Sequence, residues 1–353
     1  MTTHIHGTSN SSKYNLDLFL KNLHEWVDLF KFNNISGEFS VIREQEKPSL
    51  YGTCDMVYNL TMPNELVSYL ESHVNEKAED WITVIQSYQD ERTGWFKEGR
   101  FNYAYHFKEH STAFSVSALR LLDAKPLYDF RISKKLKTKK KVEKWLRKTP
   151  EWGLLYWPGS HRGGGVAAIY ATLGPKSYPH ERFFDWYFEW LDGKADPEVG
   201  FWRLGWIHKI KKNRLTKHEL GGAVHYYWIY EFLGHPIPYP EKVIDSTLLL
   251  QNELGTWDTP DSYCIDLDAI FCLTRCCKQA NGYKKEEIDQ AILKYLDHIV
   301  DKINDKSFFF QNYRSAHRLT GFVCAIAEIY KFMPHIFDFK KEWIQTLDIT
   351  PWI

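Results

Sequence analysis

No window of this chain approaches the roughly 18 uninterrupted apolar residues of a membrane span, so no integral membrane segment is expected. Net charge is missing as well: 45 Lys and Arg balance 45 Asp and Glu. That balance removes any bulk pull toward nucleic acid or anionic lipid, and no nucleic-acid partner is expected. Cysteine is scarce and unframed, with Cys54, Cys264, Cys272, Cys276, Cys277 and Cys324 lying mostly inside apolar helical runs. They read as reduced, buried residues of a cytoplasmic protein. The opening MTTHIHGTSNSSKYNLDLF has no basic stretch followed by an apolar run, so a secretory signal is not expected. Strand alternation, hairpin signals and low-complexity linkers are also missing. What the chain has in excess is aromatic rings, at 16% with 14 Trp, and these must fill a core or line a cavity.

A repeat runs through the 353 residues. About every fifty residues, a small-residue-rich apolar helix opens on a histidine or an aspartate. The marks are Asp55 in YGTCDMVY, His110 in EHSTAFSVSALRLL, His161 in SHRGGGVAAIYATLG, His218 in HELGGAVHYYWIYEFLG, Asp266 and Asp268 in CIDLDAIFCL, and His317 in AHRLTGFVCAIAEIY. Between them lie amphipathic stretches with helical spacing: Leu16–Leu29, Trp81–Tyr88, Val142–Leu146, Phe183–Leu191, Val243–Leu250 and Ile288–Ile303. A helix apolar on one stripe keeps one wet face, whereas one apolar all round is buried on every side. Alternation of the two kinds predicts twelve helices in an inner and an outer ring, an all-α (α/α)6 toroid forming one domain over 1–353. An open solenoid is the competing arrangement, but it needs polar end caps. The turns DERTGWF, DPEVGFW and NELGTWD each place Gly before an aromatic, upstream of a marked helix. The basic run Arg131–Lys148 reads as the solvated face of an outer helix.

Parallel inner helices would bring their N-termini to one mouth, where unpaired N–H groups and dipole ends favour anions. Arg162 and Arg318, each directly after a marked histidine, would add fixed charge suited to carboxylate or sulfate. Glu219, directly after His218, joins them as a substrate-binding candidate. His110, His161, His218 and His317 are the acid/base candidates, with Asp55, Asp266 and Asp268 orienting the imidazoles or protonating. Trp95, Trp157, Trp206 and Trp257 sit in turns at that mouth, placed to stack on a sugar or a cationic centre. Each mark has a plainer reading: an Asp in the first turn caps a helix, and a lone His packs in the core. His106 and His110, four apart, could share a helix face as a metal pair. Gly163, Gly164 and Gly165 lack the strand and Gly-Lys-Ser/Thr of a phosphate loop, so they read as close packing or ligand access. Tyr226, Tyr227 and Trp228 read as core.

Two of the units carry a resemblance. QSYQDERTGWF (Gln86–Phe96) followed by HSTAFSVSAL, and QNELGTWD (Gln251–Asp258) followed by DLDAIFCL, resemble repeats of the terpenoid cyclase and protein prenyltransferase toroids. The resemblance covers most of the chain as a repeat pattern and implies the toroid fold. It departs at the catalytic motifs. The cyclases protonate with the middle acid of Asp-x-Asp-Asp, but Asp266-Leu267-Asp268 is followed by Ala269, and no Asp-Asp-x-x-Asp is present. The prenyltransferases hold zinc with Asp, Cys and a distant His; Asp261, Cys264 and His317 follow that order with a different internal spacing.

These readings lead to an enzyme with a central His/Asp/Arg-lined cavity, a lyase, epimerase or hydrolase of an anionic, uronate-type carbohydrate. The alternatives are an isoprenoid cyclase or transferase with Asp268 as the acid, and a non-catalytic binding toroid. A small-molecule or glycan substrate is expected and no cofactor, with zinc the outside alternative. Oligomeric state is left open.

Overall fold

The computed structural model describes residues 14–45, 47–98, 106–148, 156–204 and 215–353. Within them the chain is all-helical, and the only β pairings are isolated bridges such as Gln89 with Phe96 and Ala195 with Trp202. The helices are α1 (Asp17–Asp28), α2 (Leu50–Thr61), α3 (Leu66–Ser72), α4 (Ala78–Ser87), α5 (Lys108–Leu121), α6 (Lys139–Arg147) and α7 (Tyr156–Leu173). They continue with α8 (Phe183–Asp192), α9 (Lys217–Phe232), α10 (Pro240–Leu249), α11 (Cys264–Gln279), α12 (Lys285–Asn304), α13 (Lys306–Asn312) and α14 (Ala316–Phe332). None of them is long and apolar enough to cross a membrane.

Two kinds of helix alternate. In α12, Ile288, Ile292, Tyr295, Leu296, Ile299 and Ile303 are buried on one stripe while charged residues take the other faces. The basic α6 likewise buries only Val142 and Leu146. By contrast α2, α5, α7, α9, α11 and α14 are buried on nearly every side. These six contact one another in cyclic order: α2 packs on α5, α5 on α7, α7 on α9, α9 on α11, α11 on α14, and α14 back on α2. The amphipathic helices lie against them, α4 touching α2 and α5, and α10 and α12 touching α11. The short α3 and α13 were not expected from the periodicity, being too brief to show one.

Glycines set how closely the buried helices approach. A Cβ at Gly165 would come within 2.7 Å of the Glu109 carbonyl oxygen, and one at Gly222 within 2.6 Å of that of Tyr156. The Gly-aromatic turns work as staples between units. The Gln251 amide donates to the carbonyls of Gly255 (2.9 Å) and Ala291 (2.8 Å), and the indoles of Trp257 and Trp202 donate to Thr247 and Leu191 carbonyls, both at 2.8 Å. Gly255 has φ +93°, a backbone that side chains rarely tolerate.

One feature has no counterpart in the repeat. The segment after α14 turns back among the buried helices and ends inside them. Trp352 is fully buried, its carbonyl accepting from the Tyr58 hydroxyl at 2.8 Å. Thr350 donates to Ser117 at 2.5 Å and lies 3.0 Å from the Thr172 hydroxyl. The segment therefore ties α2, α5 and α7 together. Nearby, Arg275 of α11 donates to both oxygens of Glu328 of α14 at 2.6 and 2.7 Å, and Thr274 and Gln345 donate to the same carboxylate.

Candidate functional site

A cavity of about 420 Å³ lies among the buried helices, within the range of small-molecule sites, and its walls mix imidazole, indole and carboxyl groups. The lining is supplied by α5 (His110) with His106 just before it, α7 (Trp157, His161), α9 (His225, Trp228), α11 (Cys264, Asp268) and α14 (His317, Thr320), and Ile353 reaches it from the C-terminal segment. Four of the six marked helices thus place a marked residue on one wall: His110, His161, Asp268 and His317.

The rings pack against one another around the space, some stacked and some tilted or edge to face. His106 stacks on His110 at 4.3 Å between centroids, His110 meets His161 at 4.4 Å, and His161 meets His225 at 5.2 Å. Trp352 stacks on His225 at 4.7 Å from the C-terminal side. Burial is the largest influence on His106, His110, His161 and His225, and it holds all four well below the usual imidazole range; the neighbouring imidazoles push the first three further down. At neutral pH they are uncharged bases bordering the cavity.

His317 differs. Burial acts to lower it, but the Asp55 carboxylate, 2.9 Å from Nδ1, overrides this and raises the imidazole to about 10. Asp55 is itself buried and pushed upward by that burial. We assign the shared proton to His317, because Thr320 also donates to Asp55 at 2.8 Å and favours its ionised form. The cavity therefore has one imidazolium, backed by a carboxylate.

Asp268 is the opposite case. It is 1% exposed, and neither of its carboxylate oxygens has a hydrogen-bond partner. Burial first, then the charges of Asp266 and Asp258, raise it well above the carboxylate range. It is a neutral acid lining the cavity, and among the described residues it is the one carboxyl group that does so.

Other marked residues serve the scaffold. Asp266 accepts from the backbone N–H of Trp257 (2.6 Å) and Tyr263 (3.0 Å), fixing the turn ahead of α11. Glu219 caps α9 together with Thr216 and pairs with Arg203 at 2.8 Å. His218 is exposed, and its ring lies 6.1 Å from that of Trp157. Arg162 is exposed over the Phe107 ring. Arg318 donates to Asp261 at 3.1 Å, so neither arginine lines the cavity. Trp95 lies under Lys108, Trp257 is buried in its turn, and Trp206 lies outside the described residues.

The zinc set implied by the prenyltransferase resemblance does not fit. Asp261, Cys264 and His317 are not among the groups of described residues whose ligand atoms lie within 4.8 Å of one another, and the Asp261 carboxylate is held by Arg318. The sequence missed His225, seven residues beyond His218. An interval of seven returns to the same helix face two turns deeper, and that was the available signal. Trp228, read as core, also lines the cavity.

No known protein family, curated protein or solved structure matches this chain.

Proposed function

We propose that the chain is an (α/α)6 toroid enzyme that transfers protons to and from a sugar-sized, uronate-type substrate inside the cavity. The observation that carries this reading is the meeting of opposite proton states in one enclosed space: Asp268 neutral and unpartnered, His317 charged against Asp55, and the remaining imidazoles neutral. Groups held apart in this way divide the acid and base roles of a reaction. A neutral imidazole takes the proton beside the substrate carboxylate, and the His317 imidazolium steadies the negative charge that develops. Asp268 then gives its proton to the departing oxygen in a lyase, or to the opposite face of the carbon in an epimerase. Trp157 offers a flat surface for the sugar. Hydrolysis by paired carboxylates is disfavoured, since Asp55 stands behind His317 and leaves Asp268 alone on the wall.

The aromatic share of the lining, Trp157, Trp228 and Tyr263, favours one second reading, a compact isoprenoid protonated by Asp268. The two readings part at the histidines. Unsaturated-product absorbance and proton exchange at C5, followed by NMR with uronate-containing mono- and disaccharides, test the first reading, with Asp268→Asn and His161→Phe as variants. Loss of turnover in both supports sugar chemistry. Turnover of an isoprenoid that survives His161→Phe and dies with Asp268→Asn supports the second. If neither class is bound or turned over by the wild-type protein, both readings fail and a non-catalytic binding ring remains.

A further inference from the structure

We propose that His110, His161 and His225 form a binding site for a divalent transition metal of the zinc type. The three residues come from α5, α7 and α9, and each offers a ring nitrogen such that all three lie within 4.8 Å of one another. Ligands on a tetrahedral zinc sit about 3.3 Å apart for bonds of about 2.05 Å, so small side-chain rotations close the set.

Three further observations point to a ligand. His161 is 3% exposed, and its Nδ1 has no hydrogen-bond partner, although buried polar atoms are nearly always paired. The other two rings are oriented from behind, as metal-bound imidazoles are. Ser160 donates its single hydroxyl proton to the Trp157 carbonyl at 2.5 Å. It must therefore accept from Nδ1 of His225 at 2.6 Å, which leaves Nε2 with its lone pair. Nδ1 of His110 lies 2.8 Å from the Tyr51 hydroxyl, and the tautomer in which Nδ1 donates to that oxygen keeps the Nε2 lone pair for a metal. Finally, the set borders the cavity. Three protein ligands with an open fourth position are the arrangement of a reactive rather than a structural zinc, able to polarise a substrate oxygen or a water.

A second triple, His106, His110 and His317, is equally close. It shares His110, and its His317 is held from behind by Asp55 at Nδ1, so it is the competing ligand set that the variants below tell apart. The assigned set is also distinct from Asp261, Cys264 and His317, which the sequence singled out.

The test uses the full chain, stripped with chelator and titrated with Zn²⁺ by calorimetry and with Co²⁺ by visible absorption. One equivalent per chain is expected, with cobalt bands of a low-coordinate nitrogen site. His225→Gln should abolish those bands, Ser160→Ala should weaken binding about 10-fold or more, and His106→Ala should bind as the wild type does. Absence of one-equivalent binding in the wild-type protein overturns the proposal without requiring any variant to fold. Equal binding by a folded His225→Gln, or loss in a folded His106→Ala, overturns the choice of ligands. The readout involves no turnover, so failure here leaves the proton-transfer reading standing; a metal on His110, His161 and His225 would pass the base role in that reading to His106, the remaining neutral imidazole of the lining.

Discussion

Asp268 is neutral because burial makes its ionised form expensive, and that state has a cost away from acid pH. Its pKa in the folded chain lies well above the unfolded value of 3.8. Below pH 3.8 both states bind the proton equally. As pH rises, the unfolded chain releases it first, so the contribution of Asp268 to stability falls with rising pH up to its folded pKa. Asp268→Asn keeps the shape and cannot ionise. The variant is therefore expected to melt above the wild type at pH 8, with the gap closing toward pH 4, while losing turnover. Melting curves across that range check this, and a gap that is flat with pH would show that Asp268 is ionised in the fold. The same residue shows what could be read from sequence. An Asp near the start of a helix is visible, but whether it caps, as Asp266 does, or faces a cavity, as Asp268 does, depends on a two-residue phase difference around α11. His218 and His225 are a second such pair, where depth along the helix decides between solvent and site.

At the scale of elements, periodicity carried far. All six amphipathic stretches and all six marked stretches are helices in the structure, because a stripe of apolar residues and an all-round apolar surface are written directly in the residue order. The partners that lock α11 to α14 were not legible. Arg275, Thr274 and Glu328 sit in segments that read as apolar, and their pairing joins residues 53 and 54 positions apart. Glu328 accepts from Arg275, Thr274 and Gln345 while 1% exposed. Replacing it takes the two-point partner from a buried guanidinium that keeps only Glu231 at 3.5 Å and Asp348 at 3.0 Å, a kind of change that costs up to about 3–5 kcal/mol. Glu328→Ala is expected to lower unfolding free energy by that amount in a denaturant titration, and a loss below about 1 kcal/mol would mean that the neighbouring Asp348, 3.0 Å from Arg275, takes over the charge.

For the whole molecule, the six buried helices define the space and the C-terminal segment fills part of it. Trp352 lies against His225 and within 5.3 Å of His110, so this indole shapes the cavity that the repeats enclose. Nothing in the repeat pattern announces it, since the segment belongs to no unit. Trp352→Ala should cost about 3–5 kcal/mol in unfolding free energy and should widen the cavity, read as binding of larger aromatic probes by calorimetry. An unchanged stability would show that the indole is dispensable and that the helices hold the space alone.

The contact between Asp55 and His317 spans 262 positions, and the packing of α14 on α2 spans a similar stretch. Helices α2, α5, α7, α9 and α11 can each find the next as it is made, but the seam between first and last units waits for nearly the whole chain. Loop-closure entropy must be met there before any reward is gained. Until the seam forms, the imidazole wall stands open to water and the apolar flank of α2 is uncovered. Contacts of such separation are slow to form, so the α14–α2 pairing is expected to be among the last to gain protection when refolding is followed by hydrogen exchange, and early protection there would overturn that order.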